Sequence, residues 1–84
     1  MHTITASQDR PEQQEEARDI LSAALLLEAR EFPSGVVIAR FATEHGGYAC
    51  TVERGHNLKL WMSDRYEDII SKYDFLTHSN LYSE

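Results

Sequence analysis

Between residues 33 and 57 the chain is punctuated three times, and that spacing limits what it can build. The breakers are Pro33-Ser34-Gly35, His45-Gly46-Gly47 and Gly55-His56-Asn57. The gaps between them suit short strands and are too short for helices of ordinary length. Their composition agrees. Val36 to Thr43 is rich in β-branched and aromatic residues and reads as a strand. Tyr48 to Arg54 alternates, with Tyr48, Cys50 and Val52 on one face and Ala49, Thr51 and Glu53 on the other. Leu58 to Met62 gives a third strand, its leucines and Met62 opposite Lys59 and Trp61. Glycine-containing turns join these strands antiparallel, as a meander.

The flanks read as helices. Pro11 suits the first turn of one, with Asp9 near enough to help cap it. From there to about Glu31, Ala, Leu, Glu, Gln and Arg dominate, and Pro33-Ser34-Gly35 is the expected helix stop. Further on, Asp64 and Glu67 have capping-box spacing. Tyr66, Ile69, Ile70, Tyr73 and Leu76 recur at helical intervals, so a second helix is expected to about Leu76. The expected fold class is α+β: one small α-β-β-β-α domain over residues 11–76, with a three-stranded antiparallel sheet covered on one face by two helices. Residues 1–10 read as a mobile N-terminal arm and 77–84 as a polar C-terminal tail.

Composition narrows the chemistry. Leu, Ile, Val and Phe make up 19 of 84 residues, so the core is thin. A single cysteine forms no internal disulfide or cysteine-based zinc site and suits a reducing compartment. Met1–Arg10 has no apolar signal-peptide core, and the apolar run Ile20–Leu27 is too short to cross a bilayer. A cytoplasmic location is expected. His45 and His56 sit at opposite ends of one strand, ~25 Å apart, and cannot share a metal ion. Cys50 falls mid-strand as a small apolar residue, with no histidine placed in sequence to activate it. The glycines lack the Lys and Ser/Thr of a phosphate loop. No catalytic residue, metal or cofactor is expected, and the chain reads as a non-enzyme.

Charge carries the functional expectation. Fourteen Asp and Glu against eight Lys and Arg give a net charge of −6 and disfavour direct nucleic-acid binding. Glu12, Glu15, Glu16 and Asp19 are spaced to share one stripe of the first helix, ~10 Å long. Asp64, Glu67, Asp68 and Asp74 lie opposite the apolar face of the second. Were both helices on one sheet face, these eight acids would share one surface. Solvated helix faces and complementation of the helix dipole also account for such acids. Leu26, in a helix apolar nearly all round, would project beside the first stripe, either covered by the second helix or open as a docking or dimer contact. Depending on register, Ile38, Arg40, Lys59 and Trp61 would fall on the uncovered sheet face, with Trp61 either an exposed hot spot or partly buried under the C-terminal tail.

The α-β-β-β-α order is that of the double-stranded-RNA-binding domain. However, Ser63-Asp64-Arg65-Tyr66-Glu67-Asp68 is acidic where that family carries a basic cluster. Small ribonuclease toxins also pair helices with a short sheet, but they are basic and carry an Arg, Lys and His set not recognisable here. In size, charge, lack of catalytic motifs and acid-striped helices, the chain resembles the small acidic proteins with which phages and mobile elements block host defence, anti-CRISPR proteins among them. That resemblance implies a non-enzymatic inhibitor, acting in the host cytoplasm. It would dock on the basic nucleic-acid-binding surface of a defence effector, with the eight acids as phosphate surrogates and Leu26 as anchor. The alternative is a small homodimeric regulatory or assembly module that uses the apolar helix 1 surface or the Trp61 sheet face. Monomer and homodimer are both open at this point, and no membrane partner is implied.

Overall fold

The computed structural model describes residues 11–79; residues 1–10 and 80–84, and the side chains of residues 11–14, lie outside that description. The expected N-terminal arm and most of the expected tail therefore fall outside the described residues. The elements are α1 (Pro11–Ser22), β1 (Leu25–Glu31), β2 (Val37–Ala42), β3 (Tyr48–Arg54), β4 (Asn57–Ser63) and α2 (Tyr66–His78). The strands form one antiparallel sheet in the order β1-β2-β3-β4. The α+β class holds, with four strands rather than three.

The extra strand comes from the segment expected to be helical. Helix α1 stops at Ser22, whose hydroxyl donates to the Asp19 carbonyl at 2.7 Å. The Ala24 amide then closes a tighter turn onto the Leu21 carbonyl at 3.0 Å. Leu25–Glu31 runs on as β1 and pairs with β2 from Leu25↔Ala42 to Glu31↔Val37, with an irregularity between Leu26 and Glu28. Helix propensity is a weak preference, and a continuous ladder against β2 overrides it.

Pro33-Ser34-Gly35 therefore closes a hairpin. The Gly35 amide bonds the Phe32 carbonyl and the Phe32 amide bonds the Val36 carbonyl, both at 2.9 Å. The next loop repeats this pattern, with Gly46 N–H to Thr43 O at 3.3 Å and Thr43 N–H to Gly47 O at 2.9 Å. Gly35 (φ 91°) and Gly46 (φ 83°) each take the left-handed conformation that a three-residue hairpin loop requires.

The two helices pack on opposite faces of the sheet, not on the same one. Register places Ile38, Cys50, Val52 and Trp61 on one face, where Ile69, Tyr73 and Leu76 of α2 cover them together with Phe32 and Val36. Ala49, Leu58 and Leu60 face the other way and pack with Ala17, Ile20 and Leu21 of α1, beside Phe41 and Met62. Each face carries apolar side chains that only a separate helix can remove from water. Burying a leucine such as Leu58 or Leu60 contributes about 1.5–3 kcal/mol, and both are at least 98% buried.

Arg40 joins three elements on the α2 face. Its Nε donates to Glu28 Oε1 of β1 at 3.1 Å and its Nη1 to the Tyr66 hydroxyl of α2 at 3.2 Å. The guanidinium also lies 5.9 Å from the Tyr66 ring centroid and 5.7 Å from that of Tyr73. Burial works against its charge, but the hydrogen bonds to Glu28 and Tyr66 outweigh this and raise its pKa.

Two stability outcomes follow from this packing. Leu60→Ala should cost about 2–5 kcal/mol in urea unfolding, by opening a cavity under α1. Arg40→Ala should cost about 1–2 kcal/mol, chiefly through lost ring packing, because Glu28 is half exposed and its ion pair is screened. A cost under about 0.5 kcal/mol at Leu60 would contradict α1 packing there.

Candidate functional site

The expected acidic surface is divided. Glu15, Glu16 and Asp19 are exposed on α1, on one side of the sheet. Asp64, Glu67 and Asp74 are exposed on or just before α2, on the other. Glu12 falls in the first turn of α1, and its side chain is outside the described set. The eight acids therefore do not form one surface. Asp68 is partly engaged, accepting a hydrogen bond from the Ser63 hydroxyl at 2.8 Å. The Asp64/Glu67 capping box does not form: α2 begins at Tyr66, and Arg65 at its N-cap makes no side-chain cap bond. The Arg65 amide instead donates to Ser63 Oγ at 3.1 Å.

The face expected to be uncovered is the one α2 covers. Ile38 is fully buried there, and Trp61 is half-buried with the Lys72 ammonium 4.4 Å from its ring centroid. Trp61 is accordingly packed under α2 rather than displayed.

Leu26 is exposed rather than covered by the second helix, and it belongs to β1 and not to α1. Sequence reasoning missed what surrounds it. Every residue of β1 is exposed, and Leu25, Leu26 and Leu27 show 67%, 54% and 39% of their surfaces. Among the described residues β1 is also an edge strand, with β2 on one side only. α2 packs over β2, β3 and β4, and α1 over β4, so among the described residues the outer edge of β1 presents backbone groups with no strand beside them, next to three leucines. The signal was Pro33-Ser34-Gly35, which matches Glu44-His45-Gly46 in turn chemistry and so implies a strand on its N-terminal side.

Cys50 is fully buried, and desolvation pushes its thiol up to about 12. His45 and His56 lie in the loops at opposite ends of β3, and no group of His, Cys, Asp and Glu among the described residues is arranged to hold a metal ion. Two shallow clefts of about 240 and 230 Å³ flank the β2–β3 loop and share Thr43, His45 and Met62. Both are smaller than the roughly 300–1,000 Å³ of ordinary small-molecule sites. No helix of the described residues is long and apolar enough to cross a membrane.

No family model matches the chain, and neither does any curated protein or solved structure.

Cys50 offers a direct check on the core. A thiol-specific disulfide reagent should leave it unmodified at pH 8 until the protein unfolds, so modification tracks the unfolding rate. Because its folded pKa is raised, the thiol's contribution to stability is full below its ordinary value of 9.0 and is lost as pH climbs toward about 12. Rapid modification of the folded protein would show that β3 is not covered by α2.

Proposed function

We propose that this protein works by binding protein rather than by catalysis, and that it docks through the β1 edge. The observation that carries this reading is a seven-residue edge strand, exposed throughout, with three leucines side by side. Such an edge is a template for strand addition: backbone hydrogen bonds supply affinity and the side chains supply selectivity. Buried strand edges and apolar surface persist at high salt, because neither depends on long-range charge. This belongs to the class of small regulatory or assembly modules, with β1 as the contact in place of the helix 1 surface or Trp61.

A second reading keeps acid-driven docking on a basic nucleic-acid-binding surface, as in anti-CRISPR-type inhibition. The exposed Glu15, Glu16 and Asp19 stripe on α1 favours it. With the acids divided between two faces, such docking would engage one stripe at a time.

The two readings separate in one affinity experiment. The bait is the tagged full chain, tested beside a Leu26→Lys, Leu27→Lys variant and a Glu15→Lys, Glu16→Lys, Asp19→Lys variant, each checked for folding by circular dichroism. Strand docking predicts partners that survive a high-salt wash, bind the acid variant, and are lost with the leucine variant. Partners lost in salt and with the acid variant, yet held by the leucine variant, would replace it with the acidic reading.

A further inference from the structure

We propose that the occupant of the β1 edge is a second copy of this chain, paired antiparallel about a two-fold axis through Ala29 to give one continuous eight-stranded sheet. This rests on the docking reading above and adds the partner and its register.

The charges on β1 select both. Glu28 and Arg30 are paired with Arg40 and Ile38 of β2, so they lie on the α2 face, with Ala29 between them on the other. In an antiparallel pair across a two-fold axis, directly opposed residues share a face and their numbers have a constant sum. Centring the axis on Ala29 sets Glu28 opposite the partner's Arg30, and Arg30 opposite the partner's Glu28. Two opposite-charge pairs form at once. Centring it on Glu28 would set carboxylate against carboxylate, and centring it on Arg30 would set guanidinium against guanidinium, both destabilising. Of these three registers, the Ala29 one alone is self-complementary.

Both side chains are already held in place for this. Glu28 is anchored through Oε1 to Arg40 Nη2 at 3.0 Å. Arg30 lies 5.2 Å from the centroid of the buried Phe32 ring and makes no ion pair among the described residues. Charges on an edge strand ordinarily discourage pairing. Here they discourage the two same-face registers centred on Glu28 and Arg30 and favour the one between them, which is how an edge can prefer its own copy in one alignment. The Ala29 register also sets Leu27 against the stem of the partner's Glu31.

Light scattering across a concentration series, on the full chain and its variants, tests the proposal. The unaltered chain should form dimers. Glu28→Arg and Arg30→Glu should each weaken dimerisation about tenfold or more, since both pairs become like-charged. Mixing the two variants should restore dimers, because every opposed pair is then oppositely charged again. A third variant, Ala29→Cys, does not depend on these charges. Opposed Cα atoms in such a pair lie roughly 4.5–5.5 Å apart, within disulfide reach, so mild oxidation should cross-link it. Ser71→Cys, exposed on α2, should not cross-link, and the buried Cys50 stays out of the reaction. A chain that stays monomeric into the millimolar range would overturn the proposal, while leaving β1 docking to a different protein intact. Dimers indifferent to both charge reversals, with no cross-link at residue 29, would also overturn it and place the contact elsewhere.

Discussion

The burial of β3 on both of its faces is the constraint from which the rest of the molecule follows. Ala49, Cys50, Thr51 and Val52 are consecutive and all buried. Successive side chains point to opposite sides of a sheet, so four buried in a row require cover above and below. One helix cannot supply that. α2 covers Cys50 and Val52, while α1 approaches Ala49 and the leucines of β4 closely enough that Ala17 is 1% exposed. No buried side-chain nitrogen or oxygen is left without a hydrogen-bond partner among the described residues, so this two-sided core carries no such desolvation cost.

Placing the helices on opposite sides has a functional consequence. Acids that would have merged into one surface are separated by the thickness of the sheet, and charge alone no longer defines a single interface. The edge strands then differ in kind. β4 is held by both helices, whereas β1 is joined to the body through β2 and through Arg40, whose guanidinium bonds Glu28. Exposure of Leu25–Leu27 is thus built into the architecture. A strand outside the two-sided core has no helix to cover it, and it gains most from a neighbour.

Much of the fold is legible in the residues. The alternation of β3 and β4 assigns Tyr48, Cys50 and Val52, and separately Leu58 and Leu60, to their faces, and the helical spacing from Tyr66 to Leu76 locates α2. What fails is the boundary at residue 22. Leu25-Leu26-Leu27-Glu28-Ala29-Arg30-Glu31 consists mostly of good helix formers, and nothing local shows that β2 will pair with it. The usable clue lay downstream. Pro33-Ser34-Gly35 and Glu44-His45-Gly46 are the same kind of loop, each ending in a left-handed glycine, and reading both as hairpins would have supplied β1. The number of covered faces was also readable, since Ala49-Cys50-Thr51-Val52 has no charged residue to turn toward water. The candidate site was legible only in Leu26, and in the wrong element, because an edge is defined by sheet order and not by the strand's own residues.

The most direct test is backbone amide exchange along residues 25–31, followed by NMR at low and high protein concentration. Pairing with β2 should protect alternate amides at every concentration, and the intervening ones should gain protection only as concentration rises. Unbroken protection from residue 11 to 31 would mean a continuous helix. Outward amides that stay open at all concentrations would mean that β1 does not pair with its own copy.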